Sequence, residues 1–262
     1  MVENGWISEM IQSKIDVANK YEDFCEKVTQ EILAFSDKKI AVQGQFQIVL
    51  TGGSTPKGIY QCMASSPYRE KFQWDKMYFF WGDERWVSPE DQKSNYRMVS
   101  ESLLTKVEIP SRNTHSIQTV NCDLQSSASL YEEVIRDFFK LKNGEFPRFD
   151  LILLGLGRDG HIASLFPGNP ALLVKDRLVM AVSQKEITED RITLTLPVIN
   201  HAEMIFFLVS GYEKADIVHE VLEGENKNLP AKEIRPYRGE LCWFLEKTAA
   251  SRVSNVASLT RG

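Results

Sequence analysis

Short apolar runs recur along the chain, and between them apolar residues fall three and four positions apart. The runs at 46–50, 77–81, 151–154, 204–209 and 241–245 are too short for helices and dense enough for strands covered on both faces. Residues 178–182 and 191–196 read as further strands. Helical spacing appears at 17–33, where Val17, Tyr21, Phe24, Val28 and Ile32 share a face, and at 56–64 with Ile59, Tyr60 and Met63. Ser94 is placed to cap a helix over 95–104. Helices are also expected at 127–141 and 213–222, and a short turn or helix at 197–201. Strands alternating with helices predict an α/β domain with a mostly parallel sheet. No repeat or low-complexity linker interrupts the pattern. A single catalytic domain over 1–262 is therefore expected, with 1–15 a loose extension and 251–262 a frayed tail.

Composition and charge narrow the partners. The 262 residues are 43% hydrophobic, enough for a well-buried core. A net charge of −5 gives no general attraction to nucleic acid or an anionic membrane, so a bound phosphate must be held by a few placed cations. No run approaches the ~18 apolar residues of a membrane span, and the first ten residues lack a charged-then-apolar leader. Cys25, Cys62, Cys122 and Cys242 are widely separated and form no C-x-x-C pair. They read as small core residues in a reducing, cytoplasmic compartment, not as a disulfide framework or zinc module. None of His115, His161, His201 and His219 pairs with another at metal-ligand spacing. Neither a metal nor an organic cofactor is expected.

The candidate chemistry lies where apolar strands end. In open parallel sheets ligands sit outside the carboxyl ends of the strands. After residue 50 comes Thr51-Gly52-Gly53-Ser54-Thr55-Pro56, a strand-to-helix turn. Its glycines allow close backbone approach, Ser54 or Thr55 can cap the helix, and Pro56 suits the first helical position. A helix amino terminus with free N–H groups and two hydroxyls is an anion site. After residue 81 comes Gly82-Asp83-Glu84-Arg85; Asp83 can orient a histidine or a substrate hydroxyl, and Arg85 can hold an anion or developing charge.

After residue 154 comes Gly155-Leu156-Gly157-Arg158-Asp159-Gly160-His161. It matches G-x-G-x-x-G, but Pro167 and Pro170 leave no room for the helix a dinucleotide fingerprint must open. The glycines instead let backbone amides line a pocket. Asp159 beside His161 is a general-base arrangement, the carboxylate fixing the imidazole tautomer. Ser164 has no base beside it in sequence and no nucleophile elbow around it, although it can hydrogen-bond a substrate. Arg191 and Lys214, each a solvated cation when taken alone, complete the candidates.

Taken in order, the segments 50–56, 83–85 with Ser94-Asn95-Tyr96, 155–167, 191–197, 211–215 and 229–250 resemble the 6-phosphogluconolactonase family, part of a larger group that includes the glucosamine-6-phosphate deaminases. The resemblance implies a three-layer α/β fold, a Rossmann-like mainly parallel sheet flanked by helices. It implies hydrolysis of 6-phospho-D-glucono-1,5-lactone, with the phosphate at Gly52, Gly53, Ser54 and Thr55 and with Arg191 and Lys214 closing around it. His161 would take the proton from water, Asp159 and Asp83 would orient, and Arg85 or the amides of 155–157 would stabilise the carbonyl oxygen. The deaminases carry Asn-Glu-Pro where this chain has Ser164-Leu165-Phe166-Pro167, and usually Tyr where Arg85 stands. Glu246 stands where the lactonases usually have Asp. A deaminase or isomerase using the same phosphate site, and a non-catalytic sugar-phosphate sensor, are the alternatives; a sensor has no need of Asp159 and His161. The expected partner is a small sugar-phosphate lactone, and the expected state a monomer.

Overall fold

The computed structural model describes residues 14–183 and 188–254. In chain order the strands and helices are β1 (Lys14–Ala18), α1 (Tyr21–Gln43), β2 (Phe46–Leu50), α2 (Ser54–Met63), β3 (Met77–Trp81), β4 (Asp83–Arg85), α3 (Asn95–Val99), β5 (Thr114–His115), α4 (Leu124–Phe139), β6 (Leu151–Leu154), β7 (Val179–Val182), β8 (Arg191–Leu194), α5 (Leu196–Asn200), β9 (Met204–Val209), α6 (Ala215–Leu222) and β10 (Glu240–Glu246). Seven strands form one sheet in the order β1-β10-β9-β6-β2-β3-β5. Every neighbouring pair in it is parallel. Helices flank it, as the alternating pattern predicts. β2 and β6 are buried at every position, which is why all of their residues but Gln47 are apolar.

A second sheet of three antiparallel strands, β4-β8-β7, stands apart from the first. The segments 178–182 and 191–196 are strands, but they belong to this small sheet, with 83–85 as its third member. α4 packs against β7 and β8. Glu132 of α4 accepts the backbone N–H of Leu178 and the Arg177 guanidinium, which fixes that packing.

Several boundaries differ from the sequence expectation. Val17 lies in β1, not in the first helix: Ile15 and Val17 pair with Trp243 and Leu245 of β10. Pairing along a buried strand outweighs the four-residue spacing between Val17 and Tyr21. Helix α1 instead runs on to Gln43, burying Phe24, Val28, Ile32 and Ile40, and ends at Gly44 with φ 80°, whose N–H reaches Ile40 O at 2.9 Å. Of the expected loose extension, residues 14 and 15 are strand, and 1–13 lie outside the described residues. Helix α4 begins at Leu124, capped by Asp123, whose Oδ1 accepts the Ser126 N–H at 2.9 Å. Within the expected tail, Val253 is buried, and Ser254 donates its N–H and hydroxyl to Glu223 at 2.9 and 2.8 Å. The rest of 251–262 lies outside the described residues.

All four cysteines are free thiols; Cys25 and Cys242 are buried, Cys62 and Cys122 half-buried. Among the described residues no helix is long and apolar enough to cross a membrane, and no cluster of His, Cys, Asp and Glu is arranged to hold a metal.

Candidate active site

Strand order reverses between β2 and β6. From β2 the chain proceeds through β3 to β5 on one side; β6, β9 and β10 follow on the other. Loops leaving two such strands diverge and open a crevice at their carboxyl ends. A cleft of about 780 Å³ lies there. Its walls include Thr51, Gly52 and Gly53 after β2, Asp83 and Arg85 of β4, Asn95, the loop from Gly155 to Asp159 with His161, and Lys214.

On the β2 side, Tyr60 of α2 folds back to hold both backbone groups of Thr51, its hydroxyl accepting the Thr51 N–H at 3.0 Å and donating to Thr51 O at 2.9 Å. Gly52 passes so close to Asn95 that a Cβ there would lie 1.8 Å from Asn95 Oδ1. Gly53, at φ 108°, occupies the N-cap position, and no side chain caps the helix. The expected capping by Ser54 or Thr55 is therefore not made: both are already helical, and Pro56 is the third helical residue instead of the first. Ser54 is exposed, and the Thr55 hydroxyl is 2.7 Å from Ser210 Oγ beyond β9. Backbone of Gly52 and Gly53, with Thr51, lines this side of the cleft.

On the β6 side, His161 Nδ1 lies 2.6 Å from Asp159 Oδ1, which also accepts the His161 N–H at 3.2 Å. Burial raises the Asp159 carboxyl, but the hydrogen bond and charge of His161 outweigh it and hold the carboxyl below its ordinary value. His161 Nε2 bonds none of the described residues, and the ring rests on Phe166 at 4.7 Å between centroids. With Nδ1–H donated to a carboxylate, Nε2 is the basic nitrogen. Gly157 makes the fold-back possible: a Cβ there would lie 2.1 Å from His161 Nδ1. Its N–H donates to His161 O at 2.8 Å, so this amide, one of those expected to stabilise a substrate oxygen, is already engaged.

Beyond His161 the chain turns sharply. Leu165 N–H reaches Ile162 O at 2.8 Å, and Ala163 adopts φ 45°, in the left-handed region that L residues disfavour. Ser164 is 1% exposed. Its hydroxyl donates to Asp83 Oδ2 at 2.7 Å and its N–H to Thr193 Oγ1 at 3.2 Å. Asp83 also accepts from Asn95 Nδ2, at its backbone oxygen at 2.9 Å and at Oδ1 at 3.4 Å. Among the described residues it makes no hydrogen bond to His161, whose ring nitrogen bonds Asp159 instead. Glu84, 2% exposed, points the other way and gathers the backbone N–H groups of Arg85, Asn95 and Tyr96. Burial raises its carboxyl, and those three donors oppose the rise.

The cations come from three directions. Arg85 donates to Lys93 O at 2.6 Å and pairs across the small sheet with Arg191. Burial, and then the charge of Arg85, lowers the Arg191 guanidinium below its ordinary value; Glu189 Oε2 lies 3.4 Å from it. Arg191 itself is not part of the cleft wall. Lys214 ends a 3₁₀ turn, Tyr212–Lys214, at the N-cap of α6, and its Nζ donates to Leu156 O at 2.6 Å. Burial lowers its ammonium below the usual lysine value. Glu246 accepts the Gly211 N–H at 3.3 Å and so ties the start of that turn to β10.

Asn95, Glu84 and Thr193 were not singled out individually from the sequence. Ser94 gives a capping signal, met by its hydroxyl accepting the Arg97 N–H at 3.1 Å, and that signal places Asn95 at the first helical position. An acid three residues beyond a buried strand is the available sign of Glu84. Thr193 carries none.

The family model described as glucosamine-6-phosphate isomerases/6-phosphogluconolactonase matches residues 19–243. A 6-phosphogluconolactonase of Synechocystis sp. is 40% identical over 242 residues, covering 92% of this chain and 98% of the relative. One of Nostoc sp. is 42% identical over 225 residues, covering 85% and 91%. Among solved structures, 6-phosphogluconolactonase of Thermotoga maritima superposes with TM-score 0.78 at 30% identity, over 90% of this chain and all (100%) of its own. That of Trypanosoma brucei gives 0.81 at 28% identity, over 92% and 99%. A cleft at the switch point, an Asp–His pair on one wall and a glycine-bounded helix terminus on the other thus occur in a chain that matches these relatives almost end to end, and the protein belongs to the glucosamine-6-phosphate isomerase/6-phosphogluconolactonase family.

Proposed function

We propose that this protein hydrolyses 6-phospho-D-glucono-1,5-lactone to 6-phospho-D-gluconate, the lactone-opening step of the oxidative pentose phosphate pathway. The observation that carries the proposal is the His161–Asp159 contact of 2.6 Å in a cleft that also holds Lys214 and Arg85. In the reaction, Nε2 of His161 takes a proton as water oxygen bonds to the lactone carbonyl carbon. The carbon–ring-oxygen bond then breaks, and the ring oxygen leaves with a proton returned by the imidazolium. Arg85 faces the charge that grows on the carbonyl oxygen. The backbone at Gly52 and Gly53, the amino terminus of α2 at Ser54 and Thr55 through its backbone N–H groups, and Lys214, with Arg191 adding charge from outside the cleft wall, hold the phosphate, which is remote from the reacting carbon and fixes its orientation. Asp83 accepts a substrate hydroxyl. Ser164-Leu165-Phe166, where the deaminases carry Asn-Glu-Pro, favours hydrolysis over deamination. A single catalytic domain acting as a monomer in the cytoplasm completes the proposal; four free thiols suit that compartment.

The test is acid release from freshly made lactone, with the spontaneous rate subtracted. Wild type is expected to accelerate it, and His161→Ala to lose about 10²- to 10⁴-fold in kcat while still binding 6-phosphogluconate. An inactive wild type refutes the proposed function, and a His161→Ala variant with near-normal turnover removes His161 from the base role.

A further inference from the structure

We propose that Ser164 is a positioning residue that sets the spacing between His161 and the arginine pair of the small sheet; this rests on the lactonase proposal above. Two bonds from one residue carry the inference. The Ser164 hydroxyl donates to Asp83 Oδ2 at 2.7 Å, and its N–H donates to Thr193 Oγ1 at 3.2 Å. Asp83 and Thr193 are directly opposite each other in the β4–β8 ladder. Two positions along the same ladder, Arg85 is opposite Arg191. Side chains two apart on a strand share a face. The side of the ladder that grips Ser164 is therefore the side that presents both arginines. Ser164 in turn sits three residues after His161, in the turn that Ala163 enters at φ 45°. That backbone conformation costs about 1 kcal/mol or more and persists only where its surroundings fix it. Ser164, 1% exposed and bonded at both ends of its own unit, supplies that fixation.

The chemistry explains why the spacing matters. The base that takes the proton from water and the cation that faces the carbonyl oxygen must act on one carbon. They arise from two sheets, and Asp83 and Ser164 lie 81 positions apart in the chain. The Ser164 contacts join those sheets at the cleft. A misplacement of about 1 Å at a reacting centre lowers turnover on the order of 10²-fold. Neither bond reaches Gly53 or Lys214, the part of the phosphate grip that lines the cleft, and Arg191 stands outside the cleft wall, so substrate affinity changes little.

The experiment compares Ser164→Ala, Thr193→Val and Asp83→Ala, and the Ser164→Ala/Asp83→Ala double variant, by steady-state kinetics on the lactone and by thermal melting. Ser164→Ala is expected to lose roughly 10- to 100-fold in kcat, with KM within about 2-fold of wild type and with 6-phosphogluconate binding retained. Thr193→Val, which keeps the hydroxyl bond to Asp83, is expected to lose less. The double variant is expected to be no slower than Asp83→Ala alone, because both act through one contact. Should Ser164→Ala fail to fold, Thr193→Val carries the test, and its wild-type kcat would overturn the proposal. It is also overturned by a Ser164→Ala kcat within about 2-fold of wild type, or by a KM rise at constant kcat. Multiplying losses in the double variant overturn it too. An inactive wild type would instead refute the lactonase proposal itself.

Discussion

Gly157→Ala separates the geometry of the site from the stability of the fold. The added Cβ would lie 2.1 Å from His161 Nδ1, 2.3 Å from Cε1 and 2.6 Å from Asp159 Oδ1. Non-bonded heavy atoms settle at about 3.5 Å, so the overlap is more than an ångström and the imidazole must swing away. It has somewhere to go: the His161 side chain is 33% exposed and that of Asp159 50%. Nothing in the core is compressed. The loss is the Nδ1–Oδ1 bond, which at this exposure is worth below about 1 kcal/mol of folding free energy. In a chain of this size that is a melting shift of at most about 2–4 °C. Catalysis suffers far more, because the base leaves its place and its tautomer is no longer set. A general base contributes about 10²- to 10⁴-fold, or about 3–5 kcal/mol of barrier.

The assay is acid titration at constant pH with fresh lactone, run beside differential scanning calorimetry. A kcat near that of His161→Ala, with an almost unchanged melting temperature, is expected. A variant that keeps kcat within about 3-fold would show that the folded-back histidine is not the working conformation. A melting shift of more than about 8 °C would show that Gly157 supports the fold and not the base.

Lys214→Ala is expected to raise KM by about 10- to 100-fold with kcat changed only a few-fold, because a charge-assisted hydrogen bond to phosphate is worth about 1.5–3 kcal/mol; initial rates over a range of lactone concentrations check it. His115 makes a separate prediction about stability. Its ring stacks on Phe80 at 4.5 Å, its Nε2 is buried without a partner among the described residues, and burial lowers its pKa below the ordinary histidine value. The unfolded chain therefore takes up this proton at a higher pH than the folded one, so the neutral-histidine contribution is complete above about pH 6.5 and is lost as pH falls below it. Thermal melting at pH 7 and pH 5 should show a decline that His115→Phe reduces; an unchanged decline would exclude His115 as its source.

What could be read from the sequence was local. β6 announces itself as an apolar run of four residues and β2 as a run of five broken only by Gln47, and the strand-end position of 155–161 follows from β6. Asp159 and His161 meet because they are two residues apart on a glycine-flanked turn. What could not be read depends on distant partners. Three residues, 83–85, carry no strand signal; they pair only because Thr193 to Arg191 lie alongside. Thr55 looks free to meet an anion until Ser210, 155 positions away, takes its hydroxyl. Val17 has helical spacing to Tyr21, yet Leu245 draws it into the sheet. In each case a hydrogen bond or strand pair formed in three dimensions overrides a weak one-dimensional pattern.

The charges in and around the cleft act on one another. Arg85 and Arg191 are opposite one another in a two-strand ladder, a placement that like charges destabilise. Arg191 is lowered by burial and by Arg85, and Lys214 is lowered by burial at the amino end of a helix, where the dipole opposes a cation. The nearby acids relieve this only in part. Asp83 is committed to Ser164 and Asn95, Asp159 to His161, and Glu189 reaches Arg191 at 3.4 Å. On the proposed function, an anion in the cleft beside Arg85 and Lys214 would relieve this repulsion, so part of its affinity would derive from unfavourable interactions in the protein and not only from new contacts. The same separation keeps the carboxylate of Asp159 on the imidazole. On the proposed function, cations for the phosphate at one end and a histidine paired with its own acid at the other would be the division of charge that a neutral lactone carrying a dianionic tail requires.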